Sequence, residues 1–169
     1  MRTLVVYSSR TGNTKMIAEA VAETLNPCDL HPVEEAPAAD AYDFVALGFW
    51  VDKGMPDPAC QTYMRSVNGK KVGLFGTLGV DPEHEHAKDC AAKAEAIMTE
   101  SNNTVFGTFL SQGKIDPKIV EVMRKTAQDV HPMTPERIAR IEAAKSHPNE
   151  KDCRKAREAF AGFRQAALG

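Results

Sequence analysis

No stretch of this chain reads as a membrane span: every apolar run falls well short of the roughly 20 residues that a bilayer-crossing helix needs. Paired cysteines are missing as well. Cys28, Cys60, Cys90 and Cys153 lie far apart without a Cys-x-x-Cys pair, so neither a zinc site nor a disulfide framework is indicated. Each falls in an apolar pattern or at a strand start, where a buried thiol is expected. There is no internal repeat, low-complexity tract or linker. Nor is there a large excess of one charge, the net value being −2, so neither nucleic acid nor membrane is expected as a partner. Met1-Arg2-Thr3-Leu4 runs straight into an apolar segment, leaving no room for a signal peptide, and a cytoplasmic location is expected.

What is present is ordinary in amount and uneven in placement. Hydrophobic residues make up 43% and charged residues 26% of the 169. That composition and length fit one domain, residues 1–169, with ample chain to bury a core. Residues 1–113 carry nine Lys/Arg against fifteen Asp/Glu, a balance of −6, whereas 114–169 carry twelve against eight, a balance of +4.

The chain is organised around Val5-Val6-Tyr7-Ser8-Ser9-Arg10-Thr11-Gly12-Asn13-Thr14. A short apolar run ends in a turn of hydroxyls, one glycine and one asparagine. Ile17, Ala18, Val21 and Leu25 then follow at helical spacing. The order is strand, loop, helix, and the first N–H groups of a helix have no intrahelical partner and favour negative charge. Such a loop suits an anion, with phosphate the obvious guest. Its spacing excludes several kinds of phosphate loop. A triphosphate loop ends in Gly-Lys-Ser/Thr and a dinucleotide loop needs three glycines, but here only Gly12 is present and no lysine precedes Thr14. No cysteine lies between Ser8 and Thr14 to serve as a phosphatase nucleophile. Ser, Thr and Asn donors without a catalytic group point to binding and not to hydrolysis.

Further along, Cys28-Asp29-Leu30-His31-Pro32-Val33 reads as an edge strand, since paired prolines are tolerated there. Residues 34–42 have room for one or two helical turns. Phe44-Val45-Ala46-Leu47-Gly48 is a fully apolar run, as in a parallel strand buried on both faces. Phe49 to Pro56 forms a second loop holding the single tryptophan, and prolines 56 and 58 start a helix through Tyr63 to Val67. Val72 to Gly76 is a fourth strand, followed by the glycine-flanked loop Thr77-Leu78-Gly79-Val80. Asp81-Pro82-Glu83 has the form of a helix start, with the helix running to about Glu100. Thr104 to Leu110 is the fifth strand. Asp116-Pro117 opens a helix with Ile119, Met123, Ala127 and Val130 on one face, and Thr134-Pro135-Glu136 opens another with Ile138 and Ile141. Asn149 with Asp152 resembles a capping box before a closing helix that carries Cys153, Ala156, Phe160, Phe163 and Ala167. Strands alternating with helices give a doubly wound α/β domain with a parallel sheet, in which 114–146 reads as an inserted helical pair before the last helix. That pair is either a partner surface or a solvated appendage.

The run Tyr7 to Thr14, with Ala18 and Val21 behind it, resembles the signature with which flavodoxins hold the phosphate of FMN. The resemblance implies a five-stranded sheet in the order 2-1-3-4-5. It also implies FMN as cofactor, its phosphate held by the hydroxyls and amides of Ser9, Arg10, Thr11, Gly12, Asn13 and Thr14. Arg10 stands where another hydroxyl residue is usual; it either adds a charged contact or points to solvent. In this sheet order the loops after strands one, three and four share the rim where ligands bind. Phe49, Trp50, Val51, Asp52, Lys53 and Gly54 would then lie beside the flavin. Trp50 is the first candidate to cover one ring face and Phe49 the second, although by strand alternation Phe49 should point inward. The peptides at Asp52 to Gly54 are where family members hydrogen-bond flavin N5. Gly76, Thr77, Leu78 and Gly79 would bring backbone amides to the pyrimidine. Many flavodoxins place a tyrosine in this last loop, and none is present here. The second ring face is therefore covered by Leu78, covered by the inserted segment, or left open.

The resemblance implies an electron carrier shuttling between a reductase and an acceptor enzyme, with those proteins as partners, no catalytic acid, base or nucleophile, and no metal. An FMN-dependent reductase of a small substrate and a flavin-free binding module are the alternatives. His84 and His86 invite a metal reading, but helix positions two apart do not face each other. Gln112-Gly113, after the fifth strand, falls on the same rim.

Overall fold

The computed structural model describes residues 1–126 and 132–169. Its elements in chain order are β1 (Thr3–Tyr7), α1 (Asn13–Leu25), β2 (Asp29–Pro32), β3 (Phe44–Asp52), β4 (Met55–Pro56) and α2 (Pro58–Ser66). They continue with β5 (Lys71–Leu78), α3 (Glu85–Glu100), β6 (Thr104–Gln112), α4 (Pro117–Thr126), α5 (Pro135–Ala144) and α6 (Glu150–Leu168). Single 3-10 turns at Val33–Glu35 and Ala39–Ala41 occupy the segment read as helical turns. The sheet order is β2-β1-β3-β5-β6, all parallel, with β4 added antiparallel to the end of β3. The five parallel strands thus take the order expected from the resemblance, and β4 is the addition.

The apolar runs explain the layers. Val45, Leu47 and Phe49 alternate with Phe44 and Ala46 along β3, and all five are fully buried because both faces of the sheet are covered. One face packs Leu4, Val6, Val45, Leu47, Phe49 and Leu74 against Cys60 and Met64 of α2 and Ala94, Ile97 and Met98 of α3. The other packs Val5, Phe44, Ala46 and Phe75 against α1 (Ile17, Ala18, Val21, Leu25) and α6 (Cys153, Ala156, Phe160). Phe75 lies so close over the neighbouring strand that a Cβ on Gly48 would meet its ring at 2.1 Å. Register carries the carboxyl ends to one rim: Tyr7 pairs with Gly48, Trp50 with Thr77, and Leu78 with Gln112. The order reverses between β1 and β3, so the rim above that pair is where a crevice forms.

Several boundaries differ from the sequence reading. Strand β3 does not stop at Gly48. It runs to Asp52, turns at Lys53 and Gly54 (φ 50 and 77), and returns as Met55–Pro56. Two central residues with positive φ give the tight turn whose twist matches the strands. The helix assigned to prolines 56 and 58 begins at Pro58 alone, with Asp57 as N-cap. Strand β5 continues past Gly76 to Leu78. Asp81-Pro82-Glu83 does not open α3. Asp81 instead closes its own turn, accepting from the N–H of Glu83 (2.8 Å) and, through its carbonyl, from that of His84 (3.0 Å). The helix starts at Glu85, where the His84 ring accepts from the His86 N–H. The capping box at Asn149 and Asp152 is present as read. Of the expected apolar face of α4, Ala127 and Val130 lie outside the described residues. No helix among the described residues is long and apolar enough to cross a membrane.

Candidate functional site

The loop after β1 is shaped by Gly12, whose left-handed backbone (φ 96) serves as N-cap of α1 without a side chain. Ser9 supplies the missing acceptor: its Oγ accepts from the N–H groups of Gly12 (3.1 Å) and Lys15 (3.3 Å). The N–H groups of Arg10, Thr11, Asn13 and Thr14 donate to no protein acceptor among the described residues. Thr11 and Gly12 are exposed and no carboxylate stands within residues 8–14. A helix N-terminus is thereby left open to an anion.

Across the rim, Trp50 is half-buried at the base of the β3–β4 hairpin and Thr77 sits beside it in register. The Thr77 hydroxyl shares a buried hydrogen bond of 2.8 Å with that of Thr14, which ties the helix start to β5. The cleft between these parts has a volume of about 390 Å³, within the range of small-molecule sites. Of the residues singled out in the sequence, Ser9, Arg10, Thr11, Asn13, Thr14, Trp50, Val51, Asp52, Lys53, Thr77, Leu78 and Gly79 line it. Four do not. Gly12 turns the chain behind them. Phe49 is fully buried against α2 and α3, as strand alternation requires. Gly76 is a strand residue whose missing Cβ makes room for Phe49 and Leu110. Gly54 faces α3 instead, with the ring of His86 and Nζ of Lys93 next to the position of a Cβ.

The fourth wall was expected only as a segment, not by residue. Gly113, Lys114, Ile115, Asp116, Ile119 and Met123 also line the cleft. Asn13 holds this wall by donating Nδ2–H to the Lys114 carbonyl (2.9 Å), and it packs where Gly113 has no Cβ. Ile115 approaches Gly79 equally closely. The guanidinium of Arg10 stands 5.6 Å from the Trp50 ring centroid and 3.7 Å from the Asp116 carboxylate, so it bridges the mouth of the cleft. The sequence offered two hints of this wall, Gln112-Gly113 on the rim and the inserted segment as one of the possible covers of the second ring face.

A second residue escaped the sequence reading. Asp57 is buried (1% exposed) directly behind the cleft. Its carboxylate accepts from the Ser8 hydroxyl (2.8 Å), the Cys60 N–H (3.1 Å) and the Trp50 N–H (3.3 Å), joining the phosphate loop, α2 and the Trp50 strand. Burial, with Asp57 beside it, pushes the Cys60 thiol well above its ordinary pKa, so this cysteine is no nucleophile. All four cysteines are free thiols; Cys28 is half-buried and the others buried. No three His, Cys, Asp or Glu side chains converge as a metal site among the described residues.

A family profile described as "Flavodoxin domain" matches residues 4–161. The chain is 32% identical over 161 residues, 90% of each chain, to the flavodoxin-like domain-containing protein BilS of Clostridioides difficile (strain CD3). Its fold resembles that of flavodoxin 2 from Bacillus cereus, with a TM-score of 0.64 at 18% identity over 98% of this chain and 99% of that one. It likewise resembles a flavodoxin from the domain Archaea, with a TM-score of 0.61 at 16% identity over the full length of both.

Proposed function

The chain belongs to the flavodoxin domain family, and from that premise we propose that it binds FMN in the rim cleft and carries electrons one at a time between a reductase and an acceptor enzyme. The observation that carries this reading is the pairing, across one cleft of about 390 Å³, of a helix start with unpartnered N–H groups and a half-buried tryptophan. The donors fit a phosphate dianion. They are backbone amides and hydroxyls at the positive end of α1, and Arg10 is close enough to add charge by leaving Asp116. The lining fits an isoalloxazine ring: Trp50 offers stacking of about 0.5–1.5 kcal/mol beyond area burial, and Leu78, Ile119 and Met123 add apolar surface to the same cleft.

Bound FMN would supply the redox chemistry. The protein's part is binding and placement. Residues 10–14 anchor one end, Asp57 fixes the spacing between Ser8 and Trp50, and the 113–123 wall excludes water from the second ring face. The hairpin turn at Lys53-Gly54 sets which peptide groups face the ring. A cytoplasmic location goes with this role.

Titration of the flavin-free protein with FMN, followed by stepwise anaerobic reduction, tests the reading. Stoichiometric binding and accumulation of the one-electron-reduced flavin midway support the carrier. Direct passage to two-electron-reduced flavin, with turnover of NAD(P)H by the protein alone, would replace it with a reductase, and absence of binding would leave only the fold.

A further inference from the structure

Helices α4 and α5 stand proud of the domain. No side chain of α4 is buried, and in α5 only Ala144 is. An apolar groove of about 390 Å³ lies between them, with Pro117, Val120, Ile138 and Ile141 along its sides. Lys114 and Ile115 line this groove and the rim cleft alike, so the two share a wall. Val122 (58%) and Ile138 (47%) are among the most exposed large apolar side chains described. A contiguous apolar groove that shares a wall with a ligand cleft marks an interaction surface.

The charges on this pair are lopsided once internal pairing is removed. Glu121 pairs with Lys125 (2.9 Å), Glu142 with Lys145 (2.6 Å) and Asp116 with Arg10 (3.7 Å). Lys114, Lys118, Arg137 and Arg140 form no ion pair among the described residues, and Glu136 is the one described acid of these helices left without a cation. The groove is thus largely apolar, and among the described residues these helices leave more cations than acids outside the pairs just named.

We propose that the α4–α5 pair is the docking surface for an acidic redox protein, which it steers to the edge of the rim cleft. The proposal rests on the flavin reading and names the partner's chemistry: a carboxylate-rich face with a small apolar centre that seats in the groove on Val120, Ile138 and Ile141. Complementary charge raises encounter rates and fixes orientation, while the apolar contact holds the complex briefly.

A plant-type ferredoxin, small and acidic, is a suitable probe. One electron leaves its reduced cluster and enters the protein's oxidised flavin, and stopped-flow absorbance follows the transfer. The second-order rate should fall about tenfold between about 20 and about 300 mM salt. Combined Lys118→Glu and Arg140→Glu substitutions should slow it by a similar factor at low salt and flatten the salt dependence. Lys118→Gln with Arg140→Gln should lie between, which separates lost charge from lost fold. A rate indifferent to salt and to these changes would overturn the proposal, as would faster exchange with basic cytochrome c. FMN stoichiometry, measured first, reports separately on the flavin reading. Calorimetric titration of the flavin-free protein with ferredoxin then reads docking alone: salt-sensitive binding upholds the surface, and none at low salt refutes it.

Discussion

Removing the Asp57 carboxylate leaves three buried donors without an acceptor, the Ser8 hydroxyl and the N–H groups of Cys60 and Trp50. Each unsatisfied buried group costs about 1–3 kcal/mol, and loss of an N-cap about 1 kcal/mol. Asp57→Ala should therefore lower stability in urea by on the order of 3 kcal/mol and weaken FMN binding more than a surface change would, because Trp50 is no longer tied to the phosphate loop. Full retention of both would show that the carboxylate organises nothing. Asp57-Pro58 is legible in the sequence as a helix start, an acid followed by proline at the first position. What no local pattern reveals is that the same carboxylate reaches back to Ser8, 49 positions earlier. Trp50 and Phe49 were separable by alternation alone, since one face of β3 is core. Arg10 was not, because its partner Asp116 comes from the far end of the chain.

At the level of elements, the hairpin and the start of α3 show what sequence patterns conceal. Phe49-Trp50-Val51 reads equally well as loop or strand. The return strand contains a proline, and Lys53-Gly54 lacks the Asn-Gly letters that announce a tight turn. Only pairing of Asp52 with Met55 settles it. Asp81-Pro82-Glu83 misled for a related reason: the acid that caps a helix also caps an isolated turn. Apolar runs, by contrast, made β1, β3, β5 and β6 legible, and paired prolines marked β2 as an edge strand. Gly54 carries the prediction at this scale. Its φ of 77 is strained for any L side chain, although a Cβ there would meet His86 only at an ordinary contact distance of 3.4 Å. Gly54→Ala should cost about 1–2 kcal/mol in thermal unfolding and alter the flavin spectrum by moving the hairpin tip. An unchanged melting temperature would mean that the turn tolerates other backbone shapes.

The fold as a whole has a built-in alkaline limit. Tyr63 is partly buried and donates its hydroxyl to the Pro37 carbonyl (2.6 Å). Its pKa is pushed from 10.0 up to about 12, first by desolvation and then by the nearby Tyr42 and Asp40. The folded state then holds a proton that the unfolded chain has released, so unfolding free energy falls as pH rises from 10 towards about 12 and is unaffected below that window. Tyr42, raised chiefly by its hydrogen bond to Asp29, acts in the same direction. Urea midpoints measured across this window should decline, and Tyr63→Phe should decline less steeply although it starts lower for want of the Pro37 bond. Equal slopes would remove Tyr63 from the account.

The cleft is also a property of the whole molecule, for its four walls come from residues 9–14, 50–53, 77–79 and 113–123. One Asn13 side chain joins the first wall to the last across 101 positions. A ligand that touches all four and binds only the folded chain stabilises it by mass action, about 2.7 kcal/mol at a concentration of 100 times Kd. Adding FMN to the flavin-free protein should therefore raise Tm by several degrees and slow amide exchange in 113–123 as well as in the phosphate loop. Protection confined to residues 9–14 would mean that FMN sits on the phosphate loop without engaging the wall that Lys114, Ile119 and Met123 provide. A Tm that does not move with FMN would mean that the open helix start at Thr11 to Thr14 holds some other anion.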